Sequence, residues 1–159
     1  MTIQNDSDII RGLGFVALYA AYLEEMIDSL LFMLQPLDDF PEKEQRWPTS
    51  LKVDKAKQSV ALLVFEYRDD LLADLDAAKQ LLEWRNEVIH GRIYAKHDRT
   101  DTLKSGRPRI PDRVVEPSEL YDLANNLAEA RSAIYRTMIF QIPRALHARK
   151  AAESGEFKR

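Results

Sequence analysis

From Asp8 to Gln35 apolar residues recur every third or fourth position without a break, and nothing else in the chain constrains its fold as strongly. Ile9, Leu13, Val16, Ala20, Leu23, Ile27, Leu30, Leu31 and Leu34 follow the period of an α-helix. Asn5, Asp6 or Ser7 can cap it, and Pro36 stops it. Leu18, Tyr22 and Phe32 fall on the opposite side, so the helix is apolar nearly all round and should contact more than one neighbour. A dimer interface would account for that. The run is not read as a membrane span, because its longest charge-free stretch, Gly12 to Leu23, is well short of the roughly 20 residues needed. Asp6 and Asp8 also stand where a signal peptide would carry basic residues. Cytoplasm is the expected location.

Three more segments share the helical period. Ser50 opens one with Val53, Ala56, Val60, Leu63 and Val64, expected to reach Glu66 or Tyr67. A third is expected over Asp69 to Ile93, with Leu71, Leu75, Ala78, Leu82, Ile89 and Ile93 along one face. Glu116, Pro117 and Ser118 open a fourth, which carries Leu120, Leu123, Leu127, Ala130, Ile134 and Met138 to about Gln141, where Pro143 bends or ends it. Leu37 to Thr49 reads as a loop. Tyr94 to Val115, with Gly106, Pro108 and Pro111, reads as a loop or a short irregular hairpin. The expected class is all-α, a four-helix up-and-down bundle with that loop or hairpin between the last two long helices. A chain of 159 residues suits one domain, assigned to 1–143, with 144–159 as a basic flexible tail.

There is no cysteine, which removes disulfides, thiolate metal sites and cysteine nucleophiles from consideration. His97 and His147 stand without ligand partners at metal-like spacing, so no metal and no cofactor is expected. The net charge of −3 is unevenly spread. Met1 to Gly91 holds 9 basic and 17 acidic residues, whereas Arg92 to Arg113 holds 7 basic and 3 acidic. The sign flips just after His90. Arg92, Lys96 and Arg99 in that basic segment are candidate contacts for a nucleic-acid backbone, the alternative being a solvated loop.

Near its end the third helix reads Leu82-Glu83-Trp84-Arg85-Asn86-Glu87-Val88-Ile89-His90-Gly91-Arg92. Five positions turn a helix by about 140° beyond a full turn, so Arg85 and His90 do not share a face. Asn86 and His90, four apart, lie side by side. Arg85 and Asn86 straddle the apolar stripe of Leu82 and Ile89. Two copies packed through that stripe would bring both sets into one two-fold cleft.

An Arg, a polar residue, three further positions and a His, late in a helix of an all-α chain, resembles the signature of HEPN proteins. The likeness extends from about Asp8 to Gln141. It includes the acidic residues on the long first helix and the Pro-Ser-Glu-Leu opening of the last. The resemblance implies metal-independent RNA cleavage at a site shared by a homodimer. The ribose 2′-hydroxyl attacks the adjacent phosphorus, leaving a cyclic phosphate and a 5′-hydroxyl. In that chemistry His90 moves a proton, as an imidazole can near neutral pH. Arg85 presents its fork of donors to the phosphate, and Asn86 orients His90 or a phosphate oxygen.

Glu24 and Asp28 on the first helix are the expected supports of Arg85, and a purely structural ion pair among these residues is the competing reading. The resemblance also implies a toxin or phage-defence role with an antitoxin or other partner protein. Many toxin-type members carry a tyrosine two residues after the histidine, where this chain has Arg92. That departure sets it apart from members whose antitoxin modifies the tyrosine. The alternative within the family is a non-catalytic module that binds nucleotide, RNA or protein. Asp69, Asp70, Asp74 and Asp76 open a helix, where the dipole favours acids, and carry no assigned function.

Overall fold

The computed structural model describes residues 3–95, 101–104 and 111–155. Among them the elements run α1 (Ile9–Leu34), α2 (Glu42–Gln45), α3 (Thr49–Ala61), α4 (Arg68–His90), β1 (Arg92–Ala95), β2 (Asp101–Lys104), β3 (Arg113–Val114) and α5 (Pro117–Ser154). The chain is predominantly helical, as its periodicity demands. Its contacts divide it into two compact units, Met1–Leu23 with Gln80–Glu129 and Glu24–Lys79 with Ala130–Arg159.

In the first unit, a ladder of Asx turns leads into α1. Asn5 Oδ1 accepts the Ser7 N–H at 2.8 Å, and Asp6 Oδ1 accepts the Asp8 N–H at 3.2 Å. The cap itself is Asp8, one residue later than expected, and its Oδ1 accepts the N–H groups of Ile10 and Arg11 at 2.9 and 3.0 Å. Ser7 reaches the left-handed region, φ 64°, to aim this turn. The leading segment is tied to α5. The Ile3 N–H donates to Asn125 Oδ1 at 2.8 Å, and the Tyr121 hydroxyl donates to the Asp6 carboxylate and to the Asp8 carbonyl. That hydroxyl is the main reason the Asp6 carboxyl sits below its usual range. Burial pushes the Tyr121 phenol up, and the Asp6 charge adds to it. At Gly12 α1 runs close against α5, since a Cβ there would lie 3.0 Å from Leu120 Cβ.

α4 stops at His90, short of the expected Ile93. Beyond Gly91 the residues Arg92, Ile93, Tyr94 and Ala95 form β1, which pairs antiparallel with β2 in the register Ile93 to Leu103. β2 pairs in turn with β3, Thr102 opposite Val114 and Leu103 opposite Arg113. The segment read as a loop or hairpin therefore forms a small three-stranded antiparallel sheet, in the order β1-β2-β3. The β-branched and aromatic pair Ile93-Tyr94 favours extended backbone once Gly91 has broken the helix.

In the second unit, the expected loop before α3 contains the short helix α2. Lys55 joins the two, its Nζ lying 3.2 Å from Asp38 Oδ1 and 2.9 Å from Glu44 Oε2. Ser59 donates to Asp38 Oδ2 at 2.7 Å, and this bond, with Lys55 beside it, holds the Asp38 carboxyl below its usual range. α3 ends at Ala61, earlier than expected. The N–H groups of Leu62 and Leu63 turn back to the Ser59 and Val60 carbonyls and tighten its last turn, which buries Leu63.

α5 passes through Pro143 and reaches Ser154, where a flexible tail was expected from Arg144. Proline deletes one intrahelical bond, to the carbonyl of Ile139, but Ile139, Phe140 and Pro143 all face solvent, where water can replace it. Ala145 and Ala151 are buried, and Arg149 donates to the Leu62 carbonyl at 3.0 Å and to Glu153. The last turns of α5 are thus packed. Gly155, φ +75°, follows the final turn.

Candidate functional site at the end of α4

α4 is anchored by Leu71, Leu75, Ala78, Leu82 and Val88, all buried. Of the stripe expected to receive a second copy, Leu82 is only 5% exposed within one chain. Ile89 remains 37% exposed. The anchoring leaves Arg85, Asn86 and Glu87 half-buried and His90 exposed on the final turn.

The Arg85 guanidinium donates from Nη1 to Asn86 Oδ1 at 2.9 Å. Arginine only donates, so the Asn86 oxygen faces it and the amide nitrogen is left as a donor. Asn86 lies one turn before His90 on the same side of the helix, so the amide N–H can reach an imidazole nitrogen or a phosphate oxygen held there. The three residues thus offer a fork of donors, an amide donor and one imidazole around the last turn of α4.

Close approach of the sheet sets that turn. A Cβ on Gly91 would fall 2.4 Å from Leu103 Cδ1 and 2.8 Å from the Glu87 carbonyl oxygen. The Gly91 N–H donates to that same oxygen at 3.0 Å. No side chain fits directly after His90 while Leu103 is packed against the helix end.

Glu87, between Asn86 and His90, is neutralised from β3. Arg113 Nε donates to Glu87 Oε1 at 3.2 Å and Arg113 Nη1 to Glu119 Oε2 at 2.6 Å. Burial opposes the Arg113 charge, but the two carboxylates outweigh it and hold its pKa above the usual value. Arg113 therefore ties β3 to the last turns of α4 and the first turn of α5, and it removes a negative charge that would repel a phosphate. Sequence reasoning counted Arg113 only as part of the basic segment. Its signal was the acid inside the motif, Glu87, which needs a cation when half-buried.

Of the expected supports of Arg85, Glu24 Oε1 accepts the Thr49 hydroxyl at 3.2 Å, and Asp28 lies 2.8 Å from Nζ of the buried Lys52. Of the candidate RNA contacts, Arg92 opens β1, whereas Lys96 and Arg99 lie outside the described residues, as does His97. His147 is exposed on α5. Among the opening acids of α4, Asp76 pairs with Lys57, and the Asp74 carboxyl is pushed up by burial and by Asp70. Among the described residues no group of three or more His, Cys, Asp or Glu could hold a metal ion, and no helix is long and apolar enough to cross a membrane.

No model of a known protein family matches the chain, and no curated protein or solved structure does either.

Proposed function

We propose that this chain is a HEPN-type, metal-independent endoribonuclease, a four-helix bundle of that family acting as a homodimer in a toxin or defence system of the cytoplasm. The observation that carries this reading is the end of α4. Arg85 is bonded to Asn86, and an exposed His90 stands one turn on.

Cleavage by 2′-hydroxyl attack needs one proton taken from the nucleophile and one given to the 5′-oxygen, while charge grows on the phosphoryl oxygens. Arg85 and the Asn86 amide N–H are suited to those oxygens. His90 can be base or acid, but a single imidazole serves both steps poorly, so a second His90 from another copy completes the set. Arg113 supports the chemistry indirectly by cancelling Glu87. Arg92, Lys96 and Arg99, which follow in sequence, are the cations expected to contact an RNA backbone. An antitoxin or other partner protein would keep such an activity in check.

The test is cleavage of single-stranded RNA by the purified chain in EDTA. Wild type should cut and leave cyclic phosphate ends, and His90→Ala should lose the activity. Equal cleavage by both would overturn the reading. A second reading, a non-catalytic pairing or binding module, is favoured by the solvent-facing Leu18 and Tyr22 of α1. Binding of RNA without turnover, unchanged in His90→Ala, would support it.

A further inference from the structure

α1 has a second face whose residues are exposed. Ile10, Gly14, Ala17, Leu18, Ala21 and Tyr22 are all exposed, Ile10 at 78%, Leu18 at 44% and Tyr22 at 41%. No charged residue lies between Arg11 and Glu24. Gly14 is unexplained inside the chain. In a helix interior it costs about 1 kcal/mol against alanine, yet a Cβ there would meet nothing within 4 Å. Arg11, Gly14, Leu18, Ala21 and Glu25, all exposed, recur at alternating spacings of three and four, the pattern of a helix that pairs along a seam.

We infer that this face of α1 docks on the same face of a second copy, the two helices antiparallel about a two-fold axis at Leu18. Residues equally far from Leu18 then meet. Tyr22 of one copy lies over Gly14 of the other, and the missing side chain makes room for the ring. Arg11, whose guanidinium also holds Asp6 of its own chain, lies about 10.5 Å along the helix from the axis and meets Glu25, about 10.5 Å the other way. Parallel pairing would instead set Arg11 against Arg11 and Glu25 against Glu25, which charge repulsion disfavours. The charges at the two ends of the face therefore choose both the occupant and its direction. The small residues between them allow axes near the short end of the usual roughly 8–10 Å separation. On the end of α4, by comparison, Leu82 is buried and Ile89 is 37% exposed. The inference rests on the pairing of two copies proposed above and not on the RNA chemistry.

The absence of cysteine makes a direct test available. Leu18→Cys, exposed and alone, should form a disulfide-linked dimer in most chains on mild oxidation, because two-fold pairing at this residue brings the Cα atoms within disulfide reach. Phe140→Cys, 60% exposed on α5, should remain unlinked. Sedimentation equilibrium of the full chain supplies the second measurement. Arg11→Glu and Glu25→Arg should each weaken dimerisation about three- to tenfold, and the double exchange should restore it. Disulfide linkage in Leu18→Cys, together with charge rescue, is the expected result. A dimer that lacks either would overturn the α1 surface and leave the shared cleavage site standing. A chain that stays monomeric at every concentration would overturn both.

Discussion

Gly91→Ala is the substitution whose effect the structure sizes most directly. The added methyl would start 2.4 Å from Leu103 Cδ1 and 2.8 Å from the Glu87 carbonyl oxygen, against ordinary carbon contacts of about 3.5–4.0 Å. Leu103 is 1% exposed and has little freedom to retreat. The Glu87 oxygen is bound to the Gly91 N–H, so shifting it weakens the bond that ends α4. Overpacking of this kind costs about 1–3 kcal/mol. For a chain of this size that corresponds to a fall in Tm on the order of 3–10 °C. Thermal unfolding followed by circular dichroism measures it on four proteins: wild type, Gly91→Ala, Leu103→Ala and the double variant. Leu103→Ala alone leaves a cavity worth about 2–5 kcal/mol, but it also removes the carbon that the new methyl strikes. The double variant should therefore lose less than the sum of the singles by about 1 kcal/mol. Wild-type melting of Gly91→Ala, or strict additivity in the double variant, would refute the claim that Leu103 closes against the end of α4.

Tyr121→Phe keeps the ring against Phe15 but removes the donor to Asp6, so melting should fall at pH 7. Because Asp6 is held below its usual value of 3.8, its stabilisation is present above that value and lost as pH falls through the lower folded pKa. The gap between wild type and Tyr121→Phe should therefore close below about pH 3.8, and a pH-independent gap would contradict this account. Lys55→Met, which keeps the stem but frees Asp38 and Glu44, should cost about 2–4 kcal/mol in urea unfolding. Arg113→Ala should cost only about 1 kcal/mol, since the pair is partly exposed, and should also weaken RNA binding by uncovering Glu87. Asn86→Ala and His90→Ala should leave melting nearly unchanged while lowering the rate of RNA cleavage about 10²- to 10⁴-fold.

Sequence periodicity carried the helices of this chain because burial on one side of a helix writes itself into every third or fourth residue. α1 came within a residue of its bounds for that reason. Periodicity failed where local backbone chemistry took over. Ile93 continued the apolar face of α4 on paper, but Gly91 ended the helix and turned Ile93 into a strand residue facing Leu103, ten residues on. Pro143 misled in the other direction, since a proline on an exposed helix face is tolerated where one in the interior is not.

At the candidate site, the helical spacing set Asn86 and His90 side by side and Arg85 apart from His90. The Arg85 to Asn86 bond was beyond it, because side-chain rotamers are not written in spacing. Arg113 was invisible as a partner of Glu87 because the two are joined only by the fold of the sheet. The expected dimer stripe on α4 lost Leu82 to the chain's own core for a related reason. An apolar face read from sequence does not reveal whether its own chain or a second one covers it.

The most direct measurement of a cleavage site shared by two chains is the activity of mixed pairs. His90→Ala should be unable to cut single-stranded RNA in EDTA. Unfolded and refolded with an equal amount of wild type, it forms pairs with a single His90, about half of all pairs by random assortment, and leaves about a quarter with two. Cleavage, with cyclic phosphate ends, should therefore fall to about half of what the same amount of wild type gives alone. A mixture that keeps the full activity of its wild-type chains would contradict the shared site.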